Sequence, residues 1–490
     1  MRRHRVARSL IYTHRWLGIA GGALVFVWFA SGIVMIYARM PALDPAERLA
    51  RLSPLDPASI RVEPGSIASG ATRLIITTLG PRPVFRVTAP GTARTFFADT
   101  GDPLAPVNAG GALAIARAFA GGEAAAIRYD TRLEDADQWT FAVRGQMPVH
   151  RIALGDRDGT TVYVAERSGE VVMKSTASTR RWGYLGAVFH WVYFTPFRRQ
   201  SSLWAQSIIW LSIAGVVMSL AGLGWGLWRY APLRRYRLRN RRYRSPYAGM
   251  MRWHHYAGLV FGATTITWIF SGLLSMDPWD WSPGTTPTRA QREAVSQGPI
   301  RLSDVPLEKL RPALAAYAPA MPKEIELVRF RGRYYLRAEA GIVSVEHPVM
   351  GPQPALHADE MLGAARDAMS GVGIDGVLWM DRYDSYYYDR AGRLSLPVLR
   401  VRYHDPPHTW LYLDPKRGAI ARKEETLSRL NRWLYHGLHS FDFPFLYHRR
   451  PLWDIVVIVL SLGGMLLSTT TMTAAWRRVK RRVRVSGRAA

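Results

Sequence analysis

The sequence predicts an α-helical membrane protein with four transmembrane helices in two parallel repeats, and with two α+β domains outside the membrane. Three observations predict this fold class: four long apolar blocks, arginine-rich segments beside those blocks, and two sets of motifs that recur at constant spacing. A chain of 490 residues is also too long for one ordinary domain, so several folded units are expected.

Each apolar block is close to the roughly 20 residues that a helix needs to cross the hydrocarbon layer. Only one ionised residue falls within the blocks. It is Asp454, at the start of the last block, where its side chain reaches the interface and avoids the bilayer centre. The blocks therefore predict transmembrane helices and not buried helices of a soluble protein. These helices are expected at residues 16–38, 203–228, 254–276 and 452–476.

Positive charge is concentrated beside the apolar blocks. The net charge is +28, but the excess lies in three segments without Asp or Glu, at residues 1–15, 229–253 and 477–490. Such a charge can indicate nucleic-acid binding. Here the positive-inside rule accounts for it, because cytoplasmic segments of membrane proteins are rich in Lys and Arg. The sequence therefore predicts a lipid bilayer as partner, no nucleic acid, and both termini in the cytoplasm.

A cleaved signal peptide is the alternative interpretation of the N-terminus, since a basic region before an apolar run is common to both. The apolar run is longer than the roughly 7–15 residues of a signal peptide. The same segment also takes part in the repeat described next. Both points favour a retained helix.

Two motifs occur twice. The segment that starts at His14 matches the segment that starts at His254, with glycines four and eight residues later and Ser-Gly seventeen residues later. A second match lies before the second apolar block of each half, where a strand-like segment is followed by a helix-like segment. In this match His190 corresponds to His439. Because each half has two spans, both halves cross the membrane in the same sense. This predicts a parallel repeat about an axis along the membrane normal.

The chain contains no cysteine, which excludes thiolate-held iron–sulfur clusters, covalent haem attachment and disulfides. Redox chemistry would need a non-covalent cofactor. Haem iron with two axial imidazoles needs two histidines that face each other across an apolar slot, and a twofold axis supplies this arrangement. We expect His14 and His254 to be the axial ligands of an inner haem b, and His190 and His439 those of an outer haem b.

Neighbouring histidines leave this assignment open. His255 is an alternative to His254, and His436 lies one turn from His439, although only His254 and His439 satisfy the repeat. Glycines one and two turns from the inner histidines either leave a flat surface for a ring or permit close helix packing. These glycines are Gly18, Gly22, Gly258 and Gly262.

The two long connections have the pattern of α+β domains. Alternating runs that end in glycine turns predict short strands, and the stretches between them predict helices. The predicted strands include TFFADTG, WTFAVRG, TVYVAERSG, RYYLRAEAG and TWLYLDPKRG. The predicted helices include GGALAIARAFA and HADEMLGAARDAM.

The H-x3-G…SG spans, the strands ending FADTGDPL or YLDPKRGAI, and the LH motif before the second span resemble the PepSY-associated transmembrane proteins. That family includes iron-regulated membrane proteins and di-haem ferric-siderophore reductases of the bacterial inner membrane. The resemblance covers nearly the whole chain. It implies periplasmic PepSY-like domains at residues 39–202 and 277–451, and reduction of ferric iron in a siderophore or similar chelate to release Fe(II).

The electron donor and two other functions remain open. No dinucleotide-binding G-x-G-x-x-G follows a strand, so the electrons are expected from quinol or a separate reductase. PepSY-type domains also act as peptide-binding or protease-modulating modules, and a subunit of iron-chelate transport is a third function. The tyrosine-rich run at residues 379–390 indicates either a binding face for a ferric chelate or ordinary strand residues.

Overall fold

The structure, a computed structural model, describes residues 2–67, 70–122, 126–233, 236–238, 241–348, 351–389 and 392–486. Four arginines of the basic segments (Arg234, Arg235, Arg239 and Arg488) and Arg390 of the tyrosine-rich run lie outside these residues. The chain divides into two compact units. The helical unit comprises Met1–Met40, Arg181–Ser282 and Leu430–Ala490, and the sheet unit comprises Pro41–Arg180 and Pro283–Arg429.

The helices are numbered in chain order. They are α1 (Arg2–Tyr37), α2 (Pro45–Ala50), α3 (Pro64–Ile67), α4 (Ala109–Ala120), α5 (Ala177–Gly183), α6 (Phe189–Trp191), α7 (Thr195–Arg199), α8 (Ser201–Arg229), α9 (Met250–Leu274), α10 (Arg289–Ser296), α11 (Leu307–Ala315), α12 (Ala358–Ala368), α13 (Thr426–Asn431), α14 (Leu438–Ser440), α15 (Pro444–Tyr447) and α16 (Leu452–Ser486). Two π-helical turns, Tyr184–Val188 and Arg432–Gly437, continue α5 and α13.

The strands are also numbered in chain order. They are β1 (Arg73–Leu79), β2 (Arg82–Ala89), β3 (Thr92–Phe97), β4 (Arg128–Leu133), β5 (Val149–Ala153), β6 (Thr161–Ala165), β7 (Val171–Ser175), β8 (Tyr236–Leu238), β9 (Arg241–Tyr243), β10 (Glu324–Phe330), β11 (Arg333–Ala338), β12 (Gly341–Ser344), β13 (Ile374–Met380), β14 (Val398–Tyr403), β15 (Trp410–Asp414) and β16 (Ala419–Glu424).

Four helices dominate the helical unit. Among the described residues, α1, α8, α9 and α16 are long and apolar enough to cross a membrane, which confirms the four predicted apolar helices. Each packs against two of the others, so that α1, α8, α9 and α16 surround a common centre. Helices α1 and α16 run beyond the predicted blocks into the basic segments, because arginine is a good helix former.

The sheet unit contains one sheet built from both long connections. Its six antiparallel strands have the order β12-β11-β10-β1-β2-β3, and Leu74 of β1 pairs with Leu327 of β10. One apolar core, which includes Leu55, Ile76 and Leu336, is assembled from both connections. The two connections therefore do not fold as the two separate domains expected from the sequence. They are joined by a strand pair whose members are far apart in the chain.

Two four-stranded antiparallel sheets complete the sheet unit, with the orders β4-β5-β6-β7 and β13-β14-β15-β16. The predicted helices are confirmed as α4, which packs on the first of these sheets, and α12, which packs on the second. Four of the five predicted strands are confirmed, within β3, β6, β11 and β15.

The strand expected in WTFAVRG is wrong. Residues Phe141–Gln146 form a 3₁₀ turn. The cause is local, because the Asp137 carboxylate accepts hydrogen bonds from the backbone N–H groups of Trp139 and Thr140, at 2.9 and 3.1 Å. Such side-chain bonds give the backbone an alternative to a strand ladder. The apolar side chains Trp139 and Val143 still pack against the β4–β7 sheet.

The tyrosine-rich run does not continue as a strand, since β13 ends at Met380. Asp384 then accepts hydrogen bonds from the backbone N–H groups of Tyr386 and Tyr387. Tyr387 is fully buried, and its ring stacks on Tyr412 with centroids 5.0 Å apart. Burial raises the pKa of Tyr387 to about 12. The Tyr387 ring is thus part of the core and does not form a binding face.

Candidate functional site

The structure brings His14 of α1 and His254 of α9 together. Their ring centroids are 5.8 Å apart. The Nδ1 atom of His14 lies 3.0 Å from the carbonyl oxygen of Met218, and Nδ1 of His254 lies 2.8 Å from the hydroxyl of Thr470. We call these two histidines the inner pair.

These partners determine the tautomer of both rings. A carbonyl oxygen can only accept, so Nδ1–H of His14 donates to Met218. The Thr470 hydroxyl already donates to the carbonyl oxygen of Leu467, so it accepts from Nδ1–H of His254. A neutral ring with its proton on Nδ1 carries its lone pair on Nε2. Both rings of the inner pair are therefore prepared to bind a metal through Nε2.

A cavity of about 370 Å³ surrounds the inner pair. Its volume falls in the range of roughly 300–1,000 Å³ that is common for pockets that bind cofactors and small ligands. Side chains from all four long helices line it, including Met218 of α8 and Leu467 of α16. The lining is mostly apolar, with a few small hydroxyl side chains such as Ser219 and Ser468.

All four glycines singled out in the sequence line this cavity. A methyl group added to any of them would also lie 3.3–3.7 Å from a side chain of a neighbouring helix. The glycines therefore have both of the roles considered from the sequence: they form part of the cavity wall and they permit close helix packing.

Gly222 of α8 has a clearer role. A methyl group at this position would overlap the ring of His14, whereas one at Gly224 would meet nothing within 4 Å. The absence of a side chain at Gly222 makes room for the imidazole. Gly222 belongs to a run of alternating glycines, Gly222, Gly224 and Gly226, that is visible in the sequence of α8.

His255 has the opposite tautomer to His254. Its Nε2 lies 2.8 Å from the carbonyl oxygen of Gly226, so that Nε2 carries the proton, and its Nδ1 lies 2.8 Å from the Ser245 hydroxyl. Both ring nitrogens of this buried residue thus have protein partners. His255 is placed as a structural histidine, and His254 is the one that faces His14.

His190 and His439, which we call the outer pair, also face each other. Their ring centroids are 6.0 Å apart and their ring planes cross at 72°. His190 follows the first π-helical turn, and His439 follows the second. His436 lies within the second π-helical turn, is exposed, and places its ring 4.5 Å from Tyr435. The structure therefore pairs His190 with His439.

The repeated Ser-Gly motif holds the outer pair. Nδ1 of His190 lies 3.1 Å from the Ser31 hydroxyl, and Nδ1 of His439 lies 3.0 Å from the Ser271 hydroxyl. Each serine donates its own proton to a carbonyl of its helix, so it accepts from Nδ1–H. Each Nδ1 atom also has a second acceptor nearby. The carbonyl oxygen of Trp28 lies 3.1 Å from Nδ1 of His190, and that of Trp268 lies 3.2 Å from Nδ1 of His439.

The glycines of the same motif face the imidazole rings. A methyl group at Gly32 would lie 3.6 Å from His190, and one at Gly272 would lie 3.5 Å from His439. The serine thus orients the ring and the glycine leaves space for it. Sequence comparison of the two halves found these four residues but gave them no role, because the contact joins helices that are distant in the chain.

The spacing of both pairs fits bis-imidazole ligation of haem iron. Two metal–nitrogen bonds of about 2 Å, with about 1 Å from each nitrogen to its ring centre, separate two opposed imidazole centroids by about 6 Å. The observed values are 5.8 and 6.0 Å. Each pair offers two imidazoles as donors, which fits an iron whose remaining ligands come from a porphyrin.

One histidine of the sheet unit has clear partners for both ring nitrogens. His150 is buried in the sheet unit, where its ring nitrogens lie 3.0 Å from the Tyr129 hydroxyl and 2.6 Å from the Val107 carbonyl oxygen. His150 thus connects β5 to Tyr129 of β4 and to the loop that contains Val107.

The fold and the site define a class of protein. Four helices able to cross a membrane, together with separate β-sheets, are typical of a membrane protein of mixed α and β structure. No protein-family model matches the chain, and no curated protein matches it.

Proposed function

We propose that this chain is a membrane electron-transfer protein that binds two haem b groups, one at the inner pair and one at the outer pair. The observation that carries the proposal is the spacing of the two histidine pairs, each close to the separation of opposed haem ligands. Bis-imidazole haem supplies one-electron chemistry when bound.

The protein's own residues prepare the two sites. The carbonyl of Met218 and the hydroxyls of Thr470, Ser31 and Ser271 hold the proton on Nδ1 of each histidine. Such bonds fix the ring and increase its basicity as a ligand. The lining of the inner cavity is mostly apolar, which suits the macrocycle of a haem.

The two sites are far enough apart to require two cofactors. His14 and Ser31 are seventeen residues apart on α1, which is about 25 Å at 1.5 Å per residue. Ser31 contacts the outer pair, so the pairs are separated by about this distance along the helix. Near the level of the outer pair, the rings of Phe29 and Trp268 lie 5.5 Å apart.

The proposal includes the parallel repeat. Matching hydrogen bonds support it, since the indole of Trp204 donates to the carbonyl of Trp191, and the indole of Trp453 donates to the carbonyl of Ser440, both at 2.9 Å. These residues are related by the same spacing as His190 and His439. We also propose that the chain lies in a bacterial inner membrane with both termini in the cytoplasm, which the three basic segments support.

We propose further that the electrons reach ferric iron in a siderophore or similar chelate on the periplasmic side. The support is the resemblance of the motifs to PepSY-associated ferric-siderophore reductases. Iron(II) binds hard, oxygen-rich chelators less tightly, so reduction releases the metal. Quinol or a separate reductase would supply the electrons.

The test is the visible spectrum of the purified full chain. We expect two haem b per chain by pyridine haemochromogen assay, with His14→Ala or His254→Ala losing one haem and His190→Ala or His439→Ala losing the other. His347→Ala, an exposed histidine of the sheet unit, is the matched control and retains both. A folded, colourless wild-type protein that cannot be reconstituted with haem would rule out the proposal.

One observation favours a second candidate function, peptide binding by the sheet unit. Strand β13 is an edge strand, and three consecutive apolar side chains on it are exposed: Val377, Leu378 and Trp379. An extended peptide can add to such an edge. Peptide binding that persists in a haem-free quadruple histidine variant would support this function, and its absence would exclude it.

A further inference from the structure

Among the described residues, the inner cavity has charged side chains at one end only. The residues that line it on α16 include Thr471, Ala475 and Arg478, which lie on one helix face at intervals of about one turn. On α1 the lining includes His14 and Arg15. The charged residues therefore lie at the end of the cavity nearest the basic ends of α1 and α16, and the opposite end is formed by side chains such as Val25.

The charges of this lining have one sign. Among the described residues of the lining, Arg15 and Arg478 are charged and no Asp or Glu is present. Neither guanidinium has an ion pair with a described acidic side chain. Arg15 is half-buried and Arg478 is exposed, and both line the cavity, so an anionic group bound there would be attracted to both. Arginine binds carboxylates with two parallel hydrogen bonds, so carboxylates are well suited to this place.

The lining of the cavity restricts the ligand further. It suits a ligand with an apolar body beside the glycines and a negatively charged edge beside the two arginines. We propose that Arg15 and Arg478 bind the two propionate carboxylates of the inner haem and thereby orient its carboxylate edge towards the basic ends of the helices. This inference rests on the proposed haem-binding function and adds two cofactor-binding residues to it.

The test measures release of haem from the full chain to an excess of apomyoglobin, followed by the visible spectrum. We expect Arg15→Gln with Arg478→Gln to accelerate release of one of the two haems by about tenfold or more, because charge-assisted hydrogen bonds to carboxylates are lost. Release of the second haem should be unchanged. Arg8→Gln and Arg477→Gln are matched controls, since neither side chain lines the cavity, and should release haem like the wild type.

A second arm distinguishes propionates from lipid phosphates as the partner of the arginines. Apoprotein is reconstituted with haem b dimethyl ester, whose carboxylates are blocked. With the ester, the double variant and the wild type should release the inner cofactor at the same rate. An equal acceleration with haem b and with its ester overturns the inference, because the arginines would then bind headgroups or support the fold.

A conservative variant excludes misfolding as the cause. Arg15→Lys with Arg478→Lys keeps both charges and should show an intermediate release rate. Wild-type release rates in the Gln double variant overturn the arginine assignment alone, provided that the wild type carries two haems. A wild-type chain that takes up no haem overturns both this inference and the proposed function.

Discussion

Histidine tautomers separate the candidate ligands from their neighbours. In the inner and outer pairs, each Nδ1 has an acceptor, either a backbone carbonyl or a hydroxyl whose own proton is already donated elsewhere. In His255 the proton is on Nε2 instead. Two adjacent histidines on α9 thus differ in which nitrogen can bind a metal, and this difference is set by their hydrogen-bond partners.

Gly222→Ala should remove the inner haem. The added methyl group overlaps the His14 ring, which must then turn away from His254. Gly224→Ala is the matched control, because it lies on the same helix and its methyl group meets nothing within 4 Å. We expect the first variant to hold one haem and the second to hold two, as measured by haem content per chain. Equal haem content in both variants would contradict the placement of His14.

Ser31→Ala and Ser271→Ala should raise the midpoint potential of the outer haem. Loss of one acceptor at Nδ1 makes the imidazole a weaker donor, which favours the reduced iron. The carbonyls of Trp28 and Trp268 remain as second acceptors, so haem should be retained and the shift should be on the order of tens of millivolts.

A redox titration followed at the haem α-band checks this prediction. Ser461→Ala is the control, since the Ser461 hydroxyl donates to the carbonyl oxygen of Val457 on its own helix. An unchanged potential in both serine variants would show that these hydroxyls do not act on the outer pair.

At the scale of elements, a partly buried cluster of charges joins β1, β10 and β11. Glu326 of β10 lies between Arg73 of β1 and Arg337 of β11, and it forms ion pairs with both. Burial acts to raise the pKa of Glu326, but the charges of Arg337 and Arg73 outweigh it, and the pKa is lowered. The carboxylate therefore connects strands from the two long connections.

Glu326→Gln should destabilise the sheet unit by about 1–3 kcal/mol, because two arginines lose a charged partner. Urea unfolding followed by the β-sheet circular dichroism signal measures the loss. Glu339→Gln, at an exposed position after β11, should leave the midpoint unchanged. Equal midpoints for the two variants would show that the cluster does not stabilise the sheet.

The stability of the sheet unit should also fall in acid through this residue. A carboxylate with a lowered folded pKa contributes stability above its unfolded pKa, which for Glu is about 4.3. That contribution is lost as pH falls from there through the lower folded pKa of Glu326. Unfolding titrations at pH 7 and below pH 4 should therefore show a smaller decrease for Glu326→Gln than for the wild type. A decrease of the same size in both would exclude this residue as a source of the acid sensitivity.

Local sequence patterns predicted the helices and most of the strands. They did not predict the 3₁₀ turn in WTFAVRG or the pairing of strands from the two long connections in one sheet. In the first case, alternation of apolar residues indicated a strand, and the hydrogen bonds of Asp137 outweighed it. In the second, β1 and β10 each look like an ordinary strand, and nothing in either indicates a partner about 250 residues away. The histidine pairs could be predicted from the sequence because equivalent histidines occur in both repeats. The contact of His14 with the Met218 carbonyl could not be predicted, because a backbone acceptor has no sequence signature.

For the whole molecule, the absence of cysteine makes topology easy to test. Three variants each introduce one thiol at an exposed position. Arg5→Cys lies in the basic segment before the first predicted span, and Thr92→Cys and Glu339→Cys lie in the first and second long connections. With a membrane-impermeant maleimide on spheroplasts, we expect labelling at 92 and 339, and labelling at 5 only after permeabilisation. Labelling of all three positions from outside would contradict the cytoplasmic termini.

The shared sheet has a consequence for biogenesis. Leu74 and Leu327 are partners, yet the second is synthesised about 250 residues after the first. At about 5–20 residues per second, β1 waits on the order of tens of seconds for β10. During that time three strands of one sheet present an open edge with unpaired backbone groups. The nascent chain is therefore most exposed to misassembly, and most dependent on chaperones, before its second half has left the ribosome.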